Sequence, residues 1–212
     1  MTLPPSPDLP CSPGGALIVI TGSMFSGKTE ELIRRVRRAL YAHRTVQVFK
    51  PALDTRADHA AIRSHNGILH AAQSVVDSRD LWERLDPETE VIAIEEAQFF
   101  DSGIVEVCQR LADGGRQVIA AGLDMDFRGC PFGPMPVLLA VADEVVKLRA
   151  ICARCGADAS RSQRIVGDRP APDSAPTILV GAEEHYEARC RHCHERVQIG
   201  GDAPIPEITE RA

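Results

Sequence analysis

Lysine is nearly missing from this chain. Among its 212 residues there are three, Lys28, Lys50 and Lys147, and arginine supplies the rest of the 24 basic side chains. Basic excess is missing too, because 30 acids leave a formal net charge of −6. A broad nucleic-acid-binding face needs Lys and Arg to replace phosphate counterions, so this balance argues against one. A few local cations would still bind a small anionic substrate. No apolar run is long enough to span a membrane. Met1 to Gly14 lacks both the basic start and the apolar stretch of a secretory signal, so a cytoplasmic protein is expected. That compartment keeps thiols reduced, which argues against disulfides among the seven cysteines. There is no internal repeat. Where arginine is favoured this strongly, a surviving lysine marks a place that needs a compact ammonium, and this points at Lys28.

What is present reads as a globular α/β chain, 44% hydrophobic and 25% charged. Ala16 to Thr21 (ALIVIT) is a continuous apolar run of the kind found in buried parallel strands. The helix expected after it, from Thr29 to His43, places Leu32, Ile33, Val36 and Leu40 on one face and arginines on the other. Further strands are expected at 45–49, 91–95, 117–121 and 145–148, with helices at 80–85, after Asp101, and at 136–142. Asp101 is expected to cap a helix with the apolar face Ile104, Val105, Cys108 and Leu111, ended by Gly114 and Gly115. Residues 51–67 read as a polar loop without periodicity. Strands alternating with helices predict a parallel sheet covered on both faces, with ligands outside the strands' carboxyl ends.

Residues 22–29 read GSMFSGKT and satisfy G-x-x-x-x-G-K-S/T. The backbone N–H groups of Gly22, Ser23, Met24, Phe25, Ser26 and Gly27 can turn inward around the phosphates of ATP. Lys28 can reach the outer phosphates, and the Thr29 hydroxyl can ligate Mg²⁺. Glu95 and Glu96 end the strand VIAI. An acid there holds Mg²⁺ in phosphate-loop enzymes, and a second can take a proton from an attacking hydroxyl. The pairs Cys152-x-x-Cys155 and Cys190-x-x-Cys193 offer four thiolates, which would fill the tetrahedral shell of a structural Zn²⁺. The long separation between the pairs implies a projecting loop. His192 and His194 are expected to be exposed. The resulting division is a disordered tail over 1–14, a phosphate-loop α/β domain over 15–150, a small zinc-binding appendage over 151–196, and a flexible tail over 197–212.

These segments carry a resemblance. GSMFSGKT, KPALDTR, EEAQFF, AGLDMDFRGCPFGPM, KLRAICARCG and GAEEHYEARCRHC, in this order, resemble the type II, or cellular-type, thymidine kinases. The resemblance implies transfer of the ATP γ-phosphoryl group to the 5′-hydroxyl of thymidine. It implies Glu96 as catalytic base, Arg56 near the reacting hydroxyl and Asp54 at the sugar. Met24, Phe99, Leu123 and Ser162 would line a thymine pocket, with Phe127, Arg164 and Tyr186 around the base. The loop between the cysteine pairs is similar to the family's lasso, whose main chain near Leu179, Val180 and Gly181 would bind the thymine edge. Its stretch GDRPAPDSAP reads as a long, mobile tip. Glu95 stands where the family usually has Asp, and Ser162 where Thr is common. A homotetramer (or dimer) and inhibition by thymidine triphosphate are further implications. The rival readings are a kinase that also accepts deoxyuridine and an ATP-switched zinc-ribbon protein that binds nucleic acid.

Overall fold

A computed structural model of the chain describes residues 14–53, 61–63, 69–177 and 185–197. In chain order its elements are β1 (Ala16–Thr21), α1 (Lys28–Tyr41), β2 (Val46–Pro51), β3 (Ala61–Arg63), β4 (Leu69–Ala71), β5 (Gln73–Val75), α2 (Ser78–Glu83), β6 (Val91–Ile94), α3 (Gly103–Asp113), β7 (Gln117–Gly122), α4 (Met135–Val141), β8 (Glu144–Lys147), β9 (Ala150–Ile151), β10 (Asp158–Ala159), β11 (Arg161–Val166), β12 (Arg169–Pro170) and β13 (His185–Arg189).

Six strands form one sheet in the order β5-β2-β6-β7-β1-β8, and every neighbouring pair is parallel. Alternation along the strands divides their side chains between two cores. Leu17, Val19, Ile92, Ile94, Val118 and Ala120 meet α3 and α4 through Ile104, Val107, Cys108, Leu111, Met135 and Leu138. Ile18, Ile20, Val91, Ala93, Ile119 and Ala121 meet α1 through Leu32, Ile33, Val36 and Ala39. Burying each large side chain stabilises the fold by about 1.5–3 kcal/mol, which is why these strands read as unbroken apolar runs. α1 stops where His43 turns left-handed, at φ 58°, and the Arg44 N–H closes back onto the Ala39 carbonyl at 3.0 Å.

Four expectations need correction. Leu40 is exposed, and Ala39 takes its place on the buried face of α1. On α3 the fully buried face uses Val107, with Val105 only partly covered. Asp101 does not fill the N-cap position, which Ser102 occupies; its carboxylate accepts from the Gly103 N–H at 3.1 Å and also from the N–H and hydroxyl of Ser78, tying α3 to α2. The stretch read as structureless contains β3, which pairs antiparallel with β4. Strands of three residues are too short to leave a periodic signal.

After β8 the strands are short and antiparallel. β9 pairs with β10, and β11 pairs with both β12 and β13. In this region the sequence pattern itself offers two short strand candidates, Gln163 to Val166 and Thr177 to Val180; the first lies within β11, and most of the second lies outside the described residues.

Candidate active site and metal centre

The loop between β1 and α1 lies at the carboxyl ends of the strands. Gly22 there has φ 146°, and a Cβ on it would come within 2.4 Å of the Leu148 carbonyl oxygen, so only glycine fits. Gly27, which has no side chain to cap with, stands at the N-cap of α1. Lys28 Nζ donates to the Ser23 carbonyl at 2.8 Å. The Thr29 hydroxyl donates to Glu95 Oε1 at 2.6 Å. A hydroxyl that gives its proton away in this manner keeps its lone pairs for a cation. Glu95 is buried, and its own N–H donates to the Phe49 carbonyl at the end of β2.

Glu96 comes directly after Glu95 and faces the same loop. Its backbone is left-handed, at φ 50°, which costs a non-glycine residue about 1–3 kcal/mol. A cavity of about 300 Å³ is walled by Met24, Phe25, Gly27, Lys28, Thr29, Glu30, Glu96 and Leu123. The phosphate loop and a carboxylate thus line one half-open cavity, the proximity that transfer of a phosphoryl group to a hydroxyl requires.

The other residues anticipated around the base stand outside this wall. Ser162 Oγ accepts from the Met24 N–H at 2.9 Å and joins β11 to the phosphate loop. Phe99 packs edge-on against Phe132, with ring centroids 5.6 Å apart. Phe127, Arg164 and Tyr186 form a stack. The Arg164 guanidinium lies 4.8 Å from the Phe127 centroid and 5.7 Å from that of Tyr186. Asp54, Arg56, Leu179, Val180 and Gly181 lie outside the described residues.

The sulfurs of Cys152, Cys155, Cys190 and Cys193 all lie within 4.8 Å of one another, and Cys155 and Cys190 are 3.7 Å apart. A tetrahedron of sulfurs about 2.3 Å from a central ion has edges of about 3.8 Å, so the donor set fits Zn²⁺. The thiols also perturb one another. Hydrogen bonds to the Cys190 and Cys155 sulfurs push the Cys193 thiol up to about 12. Burial raises the Cys152 thiol, but backbone hydrogen bonds from Cys190, Arg154 and Cys155 outweigh it and bring the thiol down to about 6. Four crowded sulfurs cannot all ionise unaided, and a dication removes that obstacle.

A family model described as thymidine kinase matches residues 15–194. The chain belongs to the thymidine kinase family. Among solved structures, the ATPase DotB of Legionella pneumophila superposes with a TM-score of 0.38 at 15% identity. That alignment covers 61% of this chain and 35% of that one.

Two expectations about this kinase-family chain change with the structure in view. The GDRPAPDSAP stretch is tethered, not loose. Gly167 and Asp168, both at positive φ, turn β11 into β12, and the Ala171 N–H returns to the Arg164 carbonyl at 2.9 Å. Arg164 donates to the Pro176 carbonyl at 2.6 Å. Arg128 donates to the carbonyls of Asp173 and Ala175, at 2.8 and 2.6 Å, and to the Thr177 hydroxyl at 2.9 Å. Composition suggested mobility because these ties come from distant arginines. The second change concerns His194, which is half-buried with Nε2 2.8 Å from the Phe127 carbonyl; His192 is exposed. Burial, the main influence, lowers the His194 pKa.

Sequence reasoning missed Gln98, Asp126 and Arg128. Gln98 sits inside EEAQFF, two residues after Glu96, and that closeness was the available signal. Asp126 and Arg128 carry no periodic signal. Asp126 accepts from the N–H groups of Arg128 and Cys130 at 2.9 and 3.0 Å and pairs with the Arg128 guanidinium at 2.9 Å.

Proposed function

We propose that this chain transfers the γ-phosphoryl group of ATP to the 5′-hydroxyl of thymidine, giving thymidine monophosphate. The observation that carries the reading is the single cavity shared by Lys28, Thr29 and Glu96. Membership of the thymidine kinase family supports thymidine as the acceptor.

Phosphoryl transfer asks a protein mainly for alignment and charge neutralisation. The phosphate loop over residues 22–27, with the positive end of α1, would hold the phosphates of ATP, while the Met24 N–H stays with Ser162 Oγ. The Lys28 ammonium would leave the Ser23 carbonyl for the outer phosphates. Thr29 and Glu95 would hold Mg²⁺, which would supply positive charge against the transferred group. Glu96 would accept the proton of the 5′-hydroxyl. Leu123 and Met24 form apolar wall beside these groups and would help exclude water. Arg56 and Asp54 would meet the 5′-hydroxyl and sugar, and the segment Leu179, Val180 and Gly181 the thymine edge. The four cysteines would hold a structural Zn²⁺. Assembly as a homotetramer or dimer, inhibition by thymidine triphosphate and a cytoplasmic location belong to the same reading. No helix among the described residues is long and apolar enough to cross a membrane.

The test is phosphorylation of thymidine, deoxyuridine, deoxycytidine, deoxyadenosine and deoxyguanosine with ATP and Mg²⁺. Thymidine should give the highest kcat/KM. Deoxyuridine should follow within about 10–200-fold, because one methyl group discriminates no further than that. ATP turnover stimulated by DNA, with no nucleoside phosphorylated, would overturn the reading.

A further inference from the structure

A second cavity, of about 730 Å³, is lined from both regions of the chain. The sheet body contributes Met125, Lys147 and Arg149, and the cysteine-bearing appendage contributes Asp158, Arg161 and Arg191. Four cations around one hollow stand out in a chain of net charge −6. Two of them are neutralised in place. Lys147 Nζ lies 2.8 Å from a carboxylate oxygen of the buried Asp124, and Arg149 Nη1 lies 2.9 Å from one of Asp158. The other two are not. Among the described residues, neither Arg161 nor Arg191 has an ion pair. The Arg161 guanidinium donates to the Met125 sulfur at 3.4 Å, and a thioether is a weak acceptor. Burial is the main influence lowering the Arg161 pKa, and the charge of Arg191 adds to it, against the pull of Asp124. A guanidinium does not relieve such repulsion by giving up its proton.

We propose that this cavity is a second anion site, separate from the phosphate loop, which takes a phosphate chain carrying two or more negative charges. The charge count sets the valence, because two of the four cations already have carboxylate partners. The guanidinium fork sets the chemistry, because its parallel N–H donors match phosphate oxygens two at a time. The volume falls in the range of small-molecule sites and leaves room for more than one phosphate. An anion held there would touch body and appendage together. It would add to the tie made by Ser162, the residue after Arg161, which accepts the Met24 N–H. The inference does not depend on Glu96 as the base, because the two cavities share no lining residue.

The test is calorimetric titration of tripolyphosphate into the zinc-loaded full chain, for wild type, Lys28→Ala, Arg161→Gln, Arg161→Lys and Arg191→Gln. Wild type should show two binding events, one for each cavity. Lys28→Ala should weaken one event and leave the other. Arg161→Gln and Arg191→Gln should each weaken that other event by about 10–100-fold, the scale of a lost charge-assisted hydrogen bond. Arg161→Lys keeps the charge without the fork and should lose less than Arg161→Gln. Zinc content should stay at the wild-type level throughout. In Lys28→Ala, tighter binding of ATP than of tripolyphosphate would assign the site to the phosphate chain of a nucleotide, and equal binding to free phosphate chains. A single event, weakened by Lys28→Ala and untouched by the arginine variants, would overturn the proposal. Loss of zinc from Arg161→Gln with the second event intact would overturn it too, because the guanidiniums would then serve to balance the thiolates. If only the event sensitive to Arg161 and Arg191 is seen, the reading of the phosphate loop falls and this inference stands.

Discussion

Leu17, Val19, Ile92, Ile94, Ile104 and Leu111 lie in one core of the parallel sheet, whereas the cluster beneath the cysteine tetrad is Ala150, Cys152, Ala159, Ala188 and Cys193. The sheet body is stabilised by large aliphatic side chains on two faces. Among the described residues after β8 the buried hydrophobic side chains are all alanine or cysteine, and the region leans on polar ties to the body instead. These include Ser162 to Met24, His194 to Phe127, and Arg128 to the 173–177 segment. Small side chains bury too little area to offset the entropy of ordering such short strands, so a region of this kind needs a cross-link or a metal.

The comparison breaks most visibly if the metal is removed. Chelation of the holoprotein, or Cys190→Ser, should speed hydrogen exchange in residues 150–197 by orders of magnitude while β1, β6 and β7 stay protected. Structural zinc contributes about 10–16 kcal/mol in small peptide hosts, which sets the upper scale. Metal analysis should find about one zinc per chain. Equal protection of both regions after chelation would mean that the alanine cluster suffices.

A middle-sized effect is expected at Arg128. Arg128→Ala removes the bonds to 173–177 and leaves the Phe127 ring without the guanidinium 4.6 Å from its centroid. Stability should fall by about 1.5–3 kcal/mol, the range for charge-assisted hydrogen bonds. KM for thymidine should rise more than KM for ATP, because the lost ties lie on the side of Phe127 and Arg164. An unchanged Tm together with an unchanged thymidine KM would show these ties to be idle.

The smallest effect belongs to the surface of the body. Hydrogen bonds from Arg34, and then from Arg35, hold the Glu31 carboxyl down at about 2, against an ordinary 4.5. A depressed carboxyl contributes stability above its ordinary pKa and loses it as pH falls through the folded value. Wild type should therefore exceed Glu31→Gln by under about 1 kcal/mol at neutral pH, since water screens such exposed pairs. The difference should shrink between about pH 4.5 and 2. A difference that is constant over that window would assign the effect to packing.

The body was legible because its physics is local and periodic. ALIVIT, VIAI and QVIAA announce strands buried on both faces, and the glycines of GSMFSGKT announce the turn between β1 and α1. Thr29 and Glu95 could each be nominated from sequence, yet their hydrogen bond joins residues 66 apart in the chain. The appendage was legible only in its cysteine spacing. Its strands of two to six residues are too short or too irregular for pattern to mark reliably. The Pro- and Ala-rich stretch misled because its partners, Arg128 and Arg164, are supplied from elsewhere in the chain.

By itself, then, the sequence determined which residue types carry the chemistry: a phosphate loop, two acids at a strand end and four thiols in two pairs. It did so because backbone geometry and ligand spacing act over a few residues. Tertiary structure alone decided what those groups face. It brought Glu96 to the phosphate loop, laid Gln98 between Glu96 and Leu123, clamped Phe127 with Arg128, Arg164 and His194, and closed the four sulfurs to within 4.8 Å. Those contacts depend on how strands order themselves in a sheet and on how a loop returns to it, and no short-range pattern encodes either.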